Sequence, residues 1–92
     1  MAYKIIYSPA FRKDFERCRK RGLNIELINA VINHLAEHGV APANTKPHPL
    51  KGNYKGCMEC HIKPDWLLIW KKKKDILQIM MVATGTHSDL YD

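Results

Sequence analysis

Long apolar segments, an even set of cysteines and low-complexity stretches are all missing from this chain of 92 residues. No apolar run approaches the ~20 residues that a membrane-spanning helix needs, and the N-terminus lacks the apolar core of a signal peptide. We therefore expect a cytoplasmic protein. Three cysteines without a secretory signal also argue against a disulfide framework.

The composition that remains is typical of one small folded domain. Hydrophobic residues make up 46% of the chain and charged residues 26%, which argues against a disordered chain. A chain of this length must bury its apolar residues in a single modest core. We predict one domain that spans residues 1–92.

Positive charge is concentrated in two blocks of the sequence. The net charge is +6, and the pI is near 9.4. Residues 1–22 carry seven Lys and Arg against two acidic residues, and residues 46–74 carry eight Lys against two. Blocks that converge on one face would attract a polyanion through phosphate contacts and counterion release. The charge pattern favours a nucleic-acid partner over a merely soluble basic surface.

The first part of the chain predicts a strand followed by two helices. Residues 3–7 alternate aromatic and β-branched residues, as short strands do. Ser8 and Pro9 are typical of a helix start, and apolar residues at helical spacing continue that helix to residue 21. A second helical repeat of apolar residues lies between Asn24 and Gly39.

The second part of the chain predicts a long loop and then a sheet. Residues 40–56 are rich in proline and glycine, so regular structure is not expected there. Strands follow at about residues 57–62, 66–72 and 76–84, and residues 87–91 form a short tail or turn. The predicted fold is α+β in the order β-α-α-β-β-β, with two N-terminal helices packed on one face of a twisted, mostly antiparallel sheet.

A Cys-x-x-Cys-His pattern at Cys57, Cys60 and His61 matches c-type haem attachment and half of a zinc site. In a strand, however, residues three apart point to opposite faces and lie roughly 10 Å apart. Two thiolates on one zinc must each approach within ~2.3 Å of the ion. We therefore interpret both cysteines as small residues that fill a strand.

The second half of the chain also contains groups that can move protons near neutral pH. His61 is followed by a turn that would bring Asp65 close to it, and a histidine beside a carboxylate can act as base, acid or oriented dipole. His48 lies in the proline-rich loop, and His87 follows the last predicted strand. Taken alone, His48 and His61 are better interpreted as ordinary surface histidines.

Three segments follow one another in the second half of the chain: His48-Pro49-Leu50-Lys51-Gly52, Glu59-Cys60-His61-Ile62-Lys63-Pro64-Asp65-Trp66-Leu67-Leu68-Ile69 and Thr84-Gly85-Thr86-His87-Ser88-Asp89-Leu90-Tyr91. In this order they resemble the YafQ branch of the RelE family of bacterial toxins. The similarity extends over nearly the whole chain, including Tyr7-Ser8, Lys13-Asp14 and the two-helix segment.

The resemblance implies a ribosome-dependent endoribonuclease, an mRNA interferase that acts without metal or other cofactor and is silenced by a cognate antitoxin. In such enzymes the ribose 2′-hydroxyl attacks the adjacent phosphate, leaving a 2′,3′-cyclic phosphate and a 5′-hydroxyl. Carried over by position, the catalytic group would be His48, His61, Asp65 and His87. We expect His87 to be the general acid, Asp65 and His61 to handle the 2′-proton, and His48 to assist at the phosphate.

The resemblance also suggests which residues hold RNA. Tyr91 would stack on a base where the family commonly has Phe. Trp66 would help to shape the pocket, although a tryptophan at its place on an apolar strand is more often a core residue than a base-stacking platform. Positive charge near the phosphate would come from Lys51, Lys55 and Lys63. The basic first helix would contact ribosomal RNA through Arg12, Lys13, Arg17 and Lys20. An acidic antitoxin should cover this basic surface.

One position departs from the family pattern. YafQ-like chains usually have Arg four residues before the final histidine, where this chain has Ala83. An Arg there would bind the scissile phosphate through two hydrogen bonds, which Ala cannot make. Either nearby lysines substitute for it, or the activity is weakened.

Two other functions fit the same sequence. The superfamily includes ParE-type toxins, which inhibit DNA gyrase by binding and cut nothing, and a plain RNA-binding module would use the histidines only as hydrogen-bonding groups. The set of four titratable residues favours the nuclease, because a pure inhibitor needs no convergent acid/base groups.

Overall fold

The chain forms a five-stranded mixed sheet with two long helices on one face, as seen in a computed structural model that describes residues 2–92. The strands lie in the order β1-β5-β4-β3-β2, and β1 is parallel to β5 whereas the other neighbours are antiparallel. The elements are β1 (Lys4–Tyr7), α1 (Pro9–Lys20), α2 (Ile25–His38), β2 (His48–Pro49), β3 (Met58–Lys63), β4 (Trp66–Lys73), β5 (Gln78–Gly85) and α3 (His87–Tyr91). The predicted α+β fold is confirmed.

The two long helices begin and end where their capping residues require. The Ser8 hydroxyl caps α1 by accepting from the Phe11 backbone N–H, and Pro9 occupies the first turn. The Asn24 side chain caps α2, which ends at Gly39 in the left-handed conformation. A side chain at Gly39 would also collide with the Tyr3 ring, because an added Cβ would lie 2.5 Å from it.

The main core lies between these helices and one face of the sheet. The predicted apolar stripe of α1 is buried at Phe11 and Cys18, and α2 contributes Ile28 and Leu35, both fully buried. The sheet supplies the remaining members of this cluster, among them Cys60, Trp66, Leu68, Trp70, Ile79 and Met81. None of the helices between residues 2 and 92 is long and apolar enough to span a membrane.

Two predictions about irregular segments were wrong. Within residues 40–56, His48 and Pro49 form a two-residue strand that pairs with Glu59 and Met58; proline is tolerated there because the strand is at the sheet edge. Residues 87–91 form the helix α3, because Thr86 and Asp89 make a reciprocal capping box. The short strand and the short helix both lie at the candidate site.

Candidate functional site

The candidate site lies on the sheet face opposite α1 and α2. Across the antiparallel strands, His48 pairs with Glu59, Glu59 with Ile69, and Ile69 with Ala83. Directly paired residues point to the same side of a sheet, so these four form one row across it. A second, smaller apolar cluster supports the row; it comprises Cys57, Ile69 and Ala83, with Leu50, Tyr54, Val82 and Leu90 packed against them.

The two cysteines of the Cys-x-x-Cys-His pattern lie on opposite faces, as predicted. Cys60 belongs to the main core and Cys57 to the smaller cluster. Burial raises the pKa of the Cys60 thiol to about 11, so the thiol is protonated at neutral pH. The two sulfurs cannot join in one zinc site.

A short polar contact joins Asp65 to His87. Asp65 Oδ1 lies 2.6 Å from His87 Nδ1 and accepts the His87 backbone N–H at 2.9 Å. The backbone hydrogen bond and then the ring hydrogen bond hold the pKa of Asp65 below its ordinary value. A carboxylate at Nδ1 orients the imidazole and leaves Nε2 facing outward, which is the arrangement of a general acid/base pair.

The predicted partnership of Asp65 with His61 is wrong in this structure. The turn after β3 directs Asp65 toward the first residue of α3, and His61 Nδ1 instead lies 3.4 Å from the Pro64 carbonyl oxygen. Donation from Nδ1 to that carbonyl would leave Nε2 of a neutral His61 with a free lone pair. In that tautomer, His61 could accept a proton without a bond to Asp65.

The three histidines form a continuous line. The rings of His48 and His61 are 5.9 Å apart, and those of His61 and His87 are 6.1 Å apart, measured between centroids. The structure therefore brings together all four residues that the sequence nominated as catalytic. Neighbouring rings are close enough for a ribose and its attached phosphate to contact two of them at once.

Glu59 is a member of the site that was not predicted from the sequence. Its side chain is only 5% exposed, yet one carboxylate oxygen lies 3.1 Å from His48 Nε2 and the other accepts the Tyr91 hydroxyl at 2.5 Å. Its position two residues before His61 could have indicated this role, because residues two apart in a strand lie on the same face of the sheet. Glu59 ties the edge strand β2 to the end of α3.

Tyr91 is half-exposed, as a base-stacking residue must be. Its ring meets the Tyr54 ring edge-on at 5.7 Å and lies 6.3 Å from the His87 ring. Burial of the hydroxyl, followed by its hydrogen bond to Glu59, raises the pKa of Tyr91. The phenol is therefore a fixed hydrogen-bond donor at neutral pH rather than an acid.

The other predicted RNA contacts differ in their surroundings. Lys51 lines a shallow groove beside Tyr91, and Lys63 lines a second groove beside His61. Lys55 is exposed at the end of a 3-10 turn. Trp66 is only 3% exposed and its indole N–H donates to the buried Thr84 hydroxyl. Its predicted part in RNA binding is incompatible with that burial, whereas the core alternative is confirmed.

The predicted ribosome-contacting residues of α1 are not equivalent. Arg12, Lys13 and Lys20 are exposed. Arg17 instead pairs with Asp14 at 3.1 Å and lies 3.7 Å from Asp89. Arg17 thus belongs in part to the internal structure of the protein.

Three groups of the site could jointly hold a metal ion. One ligand atom each from His48, Glu59 and His61 lies within 4.8 Å of the other two. Two imidazoles and a carboxylate are a donor set that suits zinc or copper.

Ala83 is almost completely buried in the row that contains Glu59 and Ile69. Adjacent strands lie about 4.8 Å apart, so a long side chain at position 83 would extend over Ile69 toward Glu59. The position therefore borders the site.

The chain matches the family model for the YafQ bacterial toxin of type II toxin–antitoxin systems over residues 3–92. It belongs to the YafQ toxin family. It is 34% identical over 88 residues to the mRNA interferase toxin YafQ of Escherichia coli K12, covering 95% of this chain and 94% of that one.

Solved structures of family members have the same fold. The E. coli YafQ chain in a DinJ–YafQ toxin–antitoxin complex superimposes with a TM-score of 0.88 at 31% identity, over 100% of both chains. A metal-bound toxin from Helicobacter pylori superimposes with a TM-score of 0.87 at 37% identity, over 99% of this chain and 100% of that one. The resemblance to the YafQ toxins is thus confirmed in sequence and fold.

Proposed function

We propose that this YafQ-family toxin is an mRNA interferase that cuts mRNA in the ribosomal A site, with the Asp65–His87 pair at its centre. The 2.6 Å contact between Asp65 and His87 Nδ1 carries the proposal. A purely inhibitory, ParE-like toxin has no need for an oriented imidazole beside two further histidines. The E. coli relative is named an mRNA interferase toxin, which supports the same activity here.

The geometry supports a division of the chemical work. His61 Nε2 takes the proton from the 2′-hydroxyl while the 2′-oxygen forms a bond to phosphorus. The bond from phosphorus to the 5′-oxygen breaks, and His87 Nε2 donates a proton to that oxygen. His48, held by Glu59 at Nε2 and lying 3.3 Å from the Pro49 carbonyl oxygen at Nδ1, assists at the phosphate as its charge grows. The products are a 2′,3′-cyclic phosphate and a 5′-hydroxyl, and no atom of a metal takes part.

Substitution of His87 tests the proposed chemistry. His87→Gln should lower mRNA cleavage on translating ribosomes by about 10²–10⁴-fold, the usual contribution of a general acid. Asp65→Ala should lower it less, because the imidazole remains. His38→Gln is a matched control, since the His38 and His87 side chains are both 56% exposed but His38 lies at the end of α2. Undiminished cleavage by His87→Gln would refute the assignment, and intact mRNA with inhibited gyrase would favour the ParE-like alternative.

We also propose an acidic antitoxin as the partner of the basic surface, in the cytoplasm where ribosomes are available. The exposed charges of Arg12, Lys13 and Lys20 support this proposal, and E. coli YafQ is seen in complex with DinJ. Charge-reversing substitutions at these three positions should weaken the toxin–antitoxin complex and make its affinity less sensitive to salt. An unchanged salt dependence would contradict an electrostatic interface.

We further propose that a transition metal bound at this site inhibits the enzyme. The cluster of His48, Glu59 and His61 supports it, as does the metal-bound H. pylori relative. Zinc or copper ligated there would occupy the lone pairs that the reaction needs. Calorimetry should show one zinc ion bound per chain and loss of that binding in Glu59→Gln. A chelator that binds zinc but leaves the Mg²⁺ of the ribosomes in place should restore cleavage. Zinc binding unaffected by Glu59→Gln would rule out this cluster.

A further inference from the structure

An ion pair joins the C-terminal end of α1 to the helix that carries His87. Arg21 Nη1 and Nη2 donate to the two carboxylate oxygens of Asp89 at 2.6 and 3.0 Å. The partners are 68 residues apart in sequence. Two parallel hydrogen bonds fix orientation as well as distance, so the pair sets where α3 lies relative to α1.

The same carboxylate also holds the start of α3. Asp89 Oδ2 accepts the Thr86 backbone N–H at 2.9 Å, and the Thr86 hydroxyl accepts the Asp89 N–H at 3.0 Å. Gly85 leaves room for this contact, because a Cβ there would lie 2.8 Å from Asp89 Oδ2. The carboxylate is therefore enclosed between the end of β5, the turn and α1, and its side chain is only 13% exposed.

A second contact from α1 fixes the end of β5. Asp14 Oδ2 accepts the Thr84 backbone N–H at 3.2 Å, and Asp14 Oδ1 accepts from Arg17 at 3.1 Å. Arg17 Nε lies 3.7 Å from Asp89 Oδ2. The acidic and basic groups of α1 thus surround the point where the chain leaves the sheet and enters α3.

A helix as short as α3 needs such external support. It has five residues, and isolated helices shorter than ~12–15 residues are not stable in water. Its first and last residues, His87 and Tyr91, are four apart and therefore lie on the same face. One presents the imidazole to Asp65 and the other donates to Glu59.

We propose that Arg21 and Asp89 are positioning residues of the nuclease site, which fix α3 and thereby hold His87 and Tyr91 in their working places. The inference rests on the proposed function, in which His87 is the general acid. Neither residue touches the reacting atoms, because Arg21 lies at the C-terminal end of α1 and the Asp89 carboxylate is directed toward Arg21. The site on one face of the sheet is thus aligned by a helix on the other.

Kinetics of Arg21→Ala and Asp89→Asn on translating ribosomes test the proposal. Arg21→Ala should lower kcat about tenfold or more with KM nearly unchanged, because displacement of a catalytic group by about 1 Å can cost up to about 100-fold. Arg21→Lys, which keeps one donor, should recover part of the loss. Arg19→Ala is the matched control: Arg19 is two residues away on α1 but pairs with Glu16 on the same helix.

A spectroscopic measurement separates this inference from the nuclease proposal itself. The pKa of Asp65, measured by carboxyl NMR titration, should rise toward its ordinary value in Arg21→Ala, because Asp65 loses the fixed N–H groups of His87. The rise should be smaller in Asp89→Asn, because the Asp89 charge that raises the pKa of Asp65 is removed there. The pKa should stay lowered in Arg19→Ala. This readout tests positioning even if the wild-type protein cuts no mRNA. Should Arg21→Ala fail to fold, Arg21→Lys and Asp89→Asn carry the same test.

Three results would overturn the positioning role. The first is an increase in KM with unchanged kcat, which would make Arg21 an RNA contact. The second is equal loss of activity in Arg19→Ala and Arg21→Ala, which would indicate a general effect of charge. The third is an unchanged pKa of Asp65 in folded Arg21→Ala.

Discussion

The two faces of the sheet differ in the kind of residue that they bury. Between one face and the helices α1 and α2, apolar side chains such as Ile28, Leu35 and Trp70 are buried. The apolar residues of these helices repeat with helical periodicity. The opposite face buries a carboxylate, Glu59, and leaves imidazoles exposed above a small apolar cluster. A buried carboxylate without partners would destabilise the fold, so its bonds to His48 and Tyr91 are a structural requirement. One face therefore maintains the fold, and the other is free to hold reactive groups.

The largest difference between the faces should appear on truncation of Leu35. Leu35→Ala should lower the free energy of unfolding by about 2–5 kcal/mol, because it leaves a cavity in the main core. Cleavage per folded molecule should stay unchanged. Urea denaturation and active-site-normalised cleavage measure the two quantities. A folded variant with lost catalysis would mean that packing of the main core, and not only the Arg21–Asp89 ion pair, controls the site.

Glu59→Gln should lower catalysis more than stability, which is the reverse of the result expected for Leu35→Ala. The amide keeps the volume but removes the charge that binds His48 and Tyr91. We expect about a tenfold fall in kcat, equivalent to ~1.4 kcal/mol, with little change in thermal stability. Glu59→Leu, which cannot accept a hydrogen bond, serves as the comparison and should lower kcat further. A Glu59→Gln variant with normal kcat would confine Glu59 to a structural role.

Ala83→Arg tests how much a guanidinium at position 83 adds to cleavage. A guanidinium extending toward Glu59 and the phosphate should increase cleavage about fivefold, since one net hydrogen bond contributes about 1 kcal/mol. Ala83→Met, of similar length but uncharged, is the control for steric disturbance of the small cluster. No increase in Ala83→Arg would indicate that nearby lysines already supply the charge.

The smallest expected effect is the loss of stability on substitution of Asp89, whose ion pair with Arg21 joins the two faces. The hydrogen bond from Arg21, together with that from the Thr86 N–H, holds the pKa of Asp89 far below its ordinary value. Its contribution to stability is therefore complete above about pH 4, the ordinary range of Asp, and is lost as pH falls toward the lowered pKa. Asp89→Asn should cost a few tenths to about 1 kcal/mol at pH 7, measured by urea denaturation. The difference from wild type should shrink at pH 2; a constant difference would contradict this account.

The fold could be predicted in the parts where local patterns determine it. The stripe of α1, the caps at Ser8 and Asn24 and the apolar β4 all depend on residues close in sequence. The strand at His48–Pro49 could not be foreseen, because two residues carry no periodicity and pair only when Glu59 and Met58 are beside them. Thr86 and Asp89 could have indicated α3, since a Thr followed three residues later by an acidic residue is a capping signal.

The candidate site was predictable in its membership but not in its pairings. Motif positions nominated His48, His61, Asp65 and His87, and the structure brings them together. Asp65 was assigned to His61 on sequence proximity, whereas the turn directs it to a histidine 22 residues further along the chain. Such pairings depend on tertiary geometry, which spacing in sequence does not contain. The same reason concealed Glu59 and the Arg21–Asp89 ion pair.

The chemistry of the cut RNA ends tests the central claim most directly. mRNA on translating ribosomes should be treated with wild-type toxin and with His87→Gln, and the new 5′ ends should be mapped and labelled. We predict codon-spaced cuts with 5′-hydroxyl ends that accept phosphate from a kinase without prior dephosphorylation, and their near absence with His87→Gln. New ends that carry a 5′-phosphate, or equal cutting by both proteins, would contradict acid catalysis by the Asp65–His87 pair.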